Sequence, residues 1–249
     1  MKAPARTDNV VPLADGPADV HLAHPTGPGP WPVLIFYMDA PGIRDELHRM
    51  AARFAAAGYC VVLPNLFYRA GLGFRLPRDC TDPSAPSHQR MVELFMSLSV
   101  PQVMSDTAAL LDWLETQPAA DTGRIGTLGY CMSGRFALAA AQKWPHQVRA
   151  AASVYGTGLV TEEAESPHRL AAAAPGNIYV AFAELDQHAP AAHAAPMREA
   201  FQAAGREAEV EVLPGVDHGF GFAERPTYDE RASEHVWGKL LALFQRSLP

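Results

Sequence analysis

A thiol, a carboxylate and an imidazole stand in this chain where they could do chemistry together. The stretch Gly126-Thr127-Leu128-Gly129-Tyr130-Cys131-Met132-Ser133-Gly134-Arg135-Phe136 passes from an apolar run into an Ala-rich helical segment. So tight a strand-to-helix turn needs small residues where backbone segments approach, and Gly129 and Gly134 supply them. Cys131 then sits at the tip of a nucleophile elbow, with cysteine in place of the more usual serine. At a helix N-terminus, free N–H groups and the helix dipole favour a thiolate. The Met132 N–H would face a developing oxyanion. Ser133 is the rival nucleophile, but Cys131 and Arg135 would then occupy the glycine positions. The plain alternative is a small buried hydrophobe, which is the reading for Cys60 in its apolar run; Cys80 falls in an irregular segment and is expected to be inert.

The elbow's partners should follow as acid, then histidine, each after a later strand. The strand-like run Asn177–Ala183 leads into Glu184-Leu185-Asp186-Gln187-His188, and Val210–Leu213 leads into Pro214-Gly215-Val216-Asp217-His218-Gly219-Phe220. Asp186 and His218 are thus expected in loops at the carboxyl ends of strands, where open α/β sheets build their sites. Glu184 and Asp217 compete as the acid. Glu184 lies closer to its strand, and Asp217 is adjacent to His218, a spacing that seldom lets side chains face each other. The plain alternative for Asp186 is that it merely caps the next helix. His188, His193 and His218 lack compact metal-ligand spacing, so no metal is expected. Gly123, Gly126 and Gly129 lie before and within a strand, which argues against a dinucleotide loop and its cofactor.

These residues need a scaffold, and the apolar pattern describes one. Continuous apolar runs at 33–38 and 59–63 read as strands covered on both faces, and 124–129, 150–155, 177–183 and 210–213 read as further strands. Helical spacing follows Asp45, which is expected to cap its helix, and recurs at 105–118, 135–143, 196–204 and 229–244. Residues 64–101 are irregular, with a short helix over 90–98, and form part of the substrate wall. The alternation predicts a mainly parallel, doubly wound α/β sheet flanked by helices. Residues 1–30 read as an N-terminal arm or edge hairpin, and residues 31–249 as one domain without a separate lid.

Composition bounds the remaining possibilities. A chain of 249 residues with 48% hydrophobic and 19% charged residues can bury a large core and is not disordered. The net charge is −7 and the basic residues are scattered, which excludes binding driven by nucleic-acid phosphates. Three cysteines without paired spacing, and no apolar segment of signal or membrane-spanning length, point to a cytoplasmic protein without membrane contact. The oligomeric state is not legible.

The motif Gly129-Tyr130-Cys131-Met132-Ser133-Gly134 resembles the G-Y-C-x-G-G of the dienelactone hydrolase family of α/β-hydrolases. Asp186 with Pro190, His218-Gly219-Phe220, and the stretch Tyr59–Arg69 are similar to that family too. The resemblance spans about Val33 to Phe244. It implies the α/β-hydrolase fold and hydrolysis of a small ester or lactone substrate by a Cys131-His218-Asp186 triad, without cofactor. It implies Ala40 as the second oxyanion donor beside Met132. Asp39 stands where the family carries a glutamate that contacts the thiol. Arg90 and Arg225 are the counterparts of substrate-binding arginines; Phe222 occupies the place where one of these is expected, and Arg225 is displaced by three. Ser133 replaces the family's second glycine. The competing reading is a non-catalytic or redox-active thiol protein on the same scaffold.

Overall fold

The computed structural model describes residues 3–163 and 166–249. The chain forms two compact units that meet in sequence between Arg124 and Ile125.

In the N-terminal unit, β1 (Ala5–Leu13) and β2 (Gly16–His24) make an antiparallel hairpin. Gly16 closes its turn at φ 140°, a conformation that L side chains resist. β2 pairs antiparallel with β4 (Cys60–Pro64), and β4 pairs parallel with β3 (Trp31–Tyr37). The hairpin anticipated within residues 1–30 is therefore built into the sheet. Helix α1 (Asp45–Ala56) buries Leu47, Ala51, Phe54 and Ala55. Asp45 does not cap it: Arg44 holds the N-cap position without a side-chain bond, and Asp45 with Glu46 forms an acidic first turn that suits the helix dipole.

The irregular 64–101 segment contains more helix than its Pro and Gly content suggests. Helix α2 spans Pro86–Ser97 and α3 spans Val100–Leu114. α3 starts five residues before the expected Ser105. Ser99 Oγ accepts from Gln102 N at 3.3 Å, and Pro101 lies in the first turn, where its missing N–H has no intrahelical partner to lose. Tyr68 donates to Asp106 Oδ1 at 2.7 Å, and Arg69 donates to both Asp106 oxygens at 2.8 Å. Asp106 is buried, so this charged knot anchors the start of the segment to α3.

The C-terminal unit holds β5 (Ala120–Tyr130, from Ile125 on), β6 (Val148–Val154), β7 (Asn177–Ala183) and β8 (Glu209–Leu213). All are parallel and neighbour each other in that order. Its helices are α4 (Gly134–Lys143), α5 (Pro167–Ala173), α6 (Ala194–Ala203) and α7 (Glu230–Ser247). β6 from Ala150 and β7 from Ile178 are buried residue after residue, as expected for parallel strands covered on both faces. α7 turns Val236, Leu240, Leu243 and Phe244 inward. Phe244 lies on Gly126, where a Cβ would come within 2.9 Å of its ring. Truncating Phe244 to alanine would cost about 3–5 kcal/mol. Among the described residues no single helix is long and apolar enough to cross a membrane.

Candidate active site

The loops that follow β5, β6, β7 and β8 lie at one edge of the C-terminal sheet, because parallel strands all end there. Cys131 follows β5, Tyr155 follows β6, Asp186 follows β7 and His218 follows β8.

Cys131 opens a short 3-10 turn between β5 and α4, with φ 55°. A non-glycine residue in this region costs roughly 1–2 kcal/mol, which the surrounding packing must offset. Two glycines make the turn possible. A Cβ on Gly129 would sit 2.1 Å from the carbonyl oxygen of Ser133. A Cβ on Gly134 would sit 2.7 Å from Gly156 Cα and 2.1 Å from Ser153 Oγ, so α4 can lie against the end of β6 only without one. Thr157 N donates to the carbonyl of Cys131 at 3.0 Å and fixes the turn from the other side.

Ser133 is fully buried and donates to the carbonyl of Tyr130 at 2.9 Å, whereas Cys131 is partly exposed.

The rival acids are also engaged elsewhere. Glu184 is exposed and accepts from Gly215 N at 2.7 Å. Asp217 Oδ1 accepts from the backbone N–H of His218 at 2.6 Å. Asp186 is buried, and its Oδ2 lies 2.7 Å from His218 Nδ1. Its Oδ1 accepts from His188 N at 2.7 Å and from Ala189 N at 2.9 Å. Burial alone would raise the Asp186 pKa, but the hydrogen bond from His218, its charge and the two backbone N–H groups hold it below the usual carboxylate range. Burial would lower the pKa of His218. Hydrogen bonds with Asp186 and with the Cys131 thiol, and the charges of both partners, instead push it up to about 10. Cys131, His218 and Asp186 are thus brought together.

The loop carrying His218 is tightly knit. Phe220 N donates to Asp217 O, Phe222 N to Gly219 O, and Thr227 Oγ1 to His218 O. Arg225 is half-buried and folds back over Gly219, with its Cγ 3.6 Å from where a Cβ there would stand. Phe222 is buried against Tyr130 and Tyr155, with ring centroids 5.1 and 6.2 Å apart. Met132 is buried.

The other predicted site residues belong to the N-terminal unit. Asp39 and Ala40 follow β3 and are buried. The Asp39 carbonyl accepts from Gly42 N at 2.9 Å, and its carboxylate is bound through both oxygens by Arg44. Arg44 also donates to Gly42 O at 3.0 Å. Arg90 is exposed on α2 and pairs with Glu93 at 3.2 Å, an ordinary surface ion pair.

Sequence reasoning passed over three neighbours of these residues: Arg44, Tyr155 and His188. Tyr155 and His188 touch the His218 ring across loops, and no spacing along the chain announces such contacts. For Arg44, the Pro41-Gly42 turn was the available signal, since it returns residue 44 toward residue 39. Among the described residues no group of three or more His, Cys, Asp or Glu side chains could hold a metal ion.

A sequence profile described as "Dienelactone hydrolase family" matches residues 18–248. A Yersinia pestis protein named "Putative carboxymethylenebutenolidase" is 29% identical over 224 residues, covering 87% of this chain and 78% of that protein. A Synechocystis protein of the same name is 26% identical over 231 residues, covering 92% and 91%. The crystal structure of a "Putative Dienelactone Hydrolase" from Klebsiella pneumoniae superposes with a TM-score of 0.84 at 25% identity, covering 98% of this chain and 99% of that one.

Proposed function

Because the chain belongs to the dienelactone hydrolase family and has its α/β-hydrolase fold, we propose that this carboxylic ester hydrolase cleaves small esters or lactones through Cys131, His218 and Asp186. The observation that carries the reading is the array itself. A buried carboxylate holds the imidazole of His218 at 2.7 Å, and that imidazole shares a hydrogen bond with a thiol at the tip of a strained turn.

The chemistry follows in two halves. Cys131 Sγ, its proton stored on His218, attacks the carbonyl carbon, and the C=O electron pair moves onto oxygen. The tetrahedral oxyanion is proposed to take the N–H of Met132, a donor of a kind worth about 3–4 kcal/mol in comparable enzymes, and the resemblance assigns the second donor to Ala40. Collapse breaks the ester C–O bond, and His218 gives its proton to the departing alkoxide. A pKa near 10 keeps that proton in place at neutral pH. The acyl group is now a thioester on Cys131, and His218 is neutral. In the second half His218 takes a proton from water, hydroxide adds to the thioester, and the C–S bond breaks to return the thiolate. Asp186 fixes the tautomer of His218 and stabilises its cation throughout.

Residues 31–249 are read as one hydrolase domain, a reading supported by a family match that continues through both compact units. The cycle needs no cofactor, and a small-molecule ester or lactone is the only partner it requires. We place Arg225, beside the His218 loop, ahead of Arg90 as a substrate-binding group. Asp39 is proposed to tune the resting thiol. Slower alkylation of Cys131 at neutral pH in wild type than in Asp39→Asn would support that role, and superimposable rates would make Asp39 a turn residue. Mass spectrometry of protein quenched during turnover of a slow ester tests the covalent step. An acyl adduct on the Cys131 peptide is expected; turnover without any adduct on Cys131, under conditions where acylation outruns hydrolysis, would contradict the thioester route.

A further inference from the structure

The imidazole of His218 touches two other rings. Tyr155 meets it with centroids 5.0 Å apart at 60°, and His188 meets it at 5.0 Å and 68°. Tyr155 is fully buried, stacks edge-on against Phe220 at 5.1 Å, and donates its N–H to Ala181 O at 2.7 Å from a backbone with φ 38°. It is a closely packed support. His188 is exposed, but its backbone is not loose, because its N–H is one of the two that bind Asp186 Oδ1. One short loop therefore supplies the carboxylate that orients His218 and a ring that lies against the same imidazole.

We propose that His188 is a positioning residue, the solvent-side support that, with Tyr155, keeps the His218 ring aligned between Asp186 and Cys131. The inference rests on the hydrolase reading above and deepens it. An imidazole held at its ring nitrogens by Asp186 and the Cys131 thiol can still tilt about its side-chain torsions. Aromatic edge contacts restrict that tilt and also exclude water from the Asp186–His218 hydrogen bond. The contact needs an aromatic ring at position 188 and does not need a titratable one.

The test uses the full chain with His188→Ala, which removes the ring, and His188→Phe, which keeps it. NMR of the Nδ1–H proton of His218, without substrate, reads the support directly. The resonance is expected to persist in wild type and His188→Phe and to broaden by exchange with water in His188→Ala. With a chromogenic short-chain ester, kcat of His188→Ala should fall about three- to tenfold with KM little changed, and His188→Phe should restore it. A sharp resonance with unchanged kcat in His188→Ala would overturn the proposal, and so would a His188→Phe protein as impaired as His188→Ala. If no form hydrolysed any ester, the hydrolase reading would fail, while the resonance would still decide the support.

Discussion

Asp186 and His218 lie 32 residues apart in sequence and 2.7 Å apart in space, joined through Oδ2 and Nδ1. The other Asp186 oxygen is saturated by two backbone N–H groups, so the carboxylate has a fixed direction. Asp217 is the nearer acid in sequence, yet among the described residues its carboxylate binds only the backbone N–H of His218. Asp186→Asn should therefore lower kcat by about a thousand- to ten-thousand-fold, as loss of the orienting acid does in serine hydrolases, and Asp217→Asn should cost far less. Steady-state kinetics of the two variants on one ester checks the order, and the reverse order would reassign the acid.

The same pair makes a pH prediction with a definite sign. The folded-state pKa of His218 is raised from 6.5 to about 10. Its contribution to stability is fully present below about 6.5 and is lost as pH rises through about 10. Asp186 is held below its ordinary value, so its contribution is present above about 3.8 and is lost as pH falls below that. Urea midpoints of wild type should decline between pH 6.5 and 10.5 by more than those of His218→Gln. An NMR titration should place the His218 midpoint well above an ordinary histidine and bring it down in Asp186→Asn.

A second histidine pair, in the N-terminal unit, predicts the opposite dependence. His21 on β2 and His48 on α1 stack with centroids 4.4 Å apart. Both Nε2 atoms are buried without a hydrogen-bond partner among the described residues, while His21 Nδ1 binds Asp8 at 2.7 Å. Burial first, and then the charge of His21, lower the pKa of His48; Asp8 and Asp45 oppose this and Arg75 adds to it. The unfolded chain then binds this proton more readily, so stability falls as pH drops below about 6.5. Melting temperatures at pH 8 and pH 5.5 should differ less in His48→Phe than in wild type.

Glycines separate the strained turn from ordinary helix. Gly134→Ala should force α4 away from Gly156 and Ser153, destabilising the protein by about 1–3 kcal/mol and reducing kcat by misplacing Cys131. Gly238, inside α7, has nothing within 4 Å of its missing Cβ. Gly238→Ala should stabilise by about 0.5–1 kcal/mol without changing kcat. Thermal unfolding of both, with kinetics, checks the contrast.

Much of this arrangement was legible in the residues. An apolar run such as Ile178–Ala183 reads as a strand buried on both faces, and an Asp and a His placed just past two strands of a parallel sheet share an edge with Cys131. Gly129 and Gly134 marked the elbow because a Cβ at either would strike backbone. Other features were not legible, for physical reasons. Pro101 reads as a helix breaker, yet in a first turn capped by Ser99 it costs no hydrogen bond, so α3 begins earlier than its apolar spacing suggests. The short helix α5 has too few turns to show a periodicity. The rings of Tyr155 and His188 reach His218 only because β6, β7 and β8 are successive neighbours, and Arg44 reaches Asp39 only because Gly42 turns the chain at φ 80°.

The central claim is that Cys131 is the nucleophile, and Cys131→Ala tests it most directly. The measurement is hydrolysis of a chromogenic ester by purified Cys131→Ala beside wild type, with circular dichroism and melting temperature recorded on the same samples. The account predicts a folded protein whose turnover has fallen to the uncatalysed background. Turnover equal to wild type in a folded Cys131→Ala protein would contradict it.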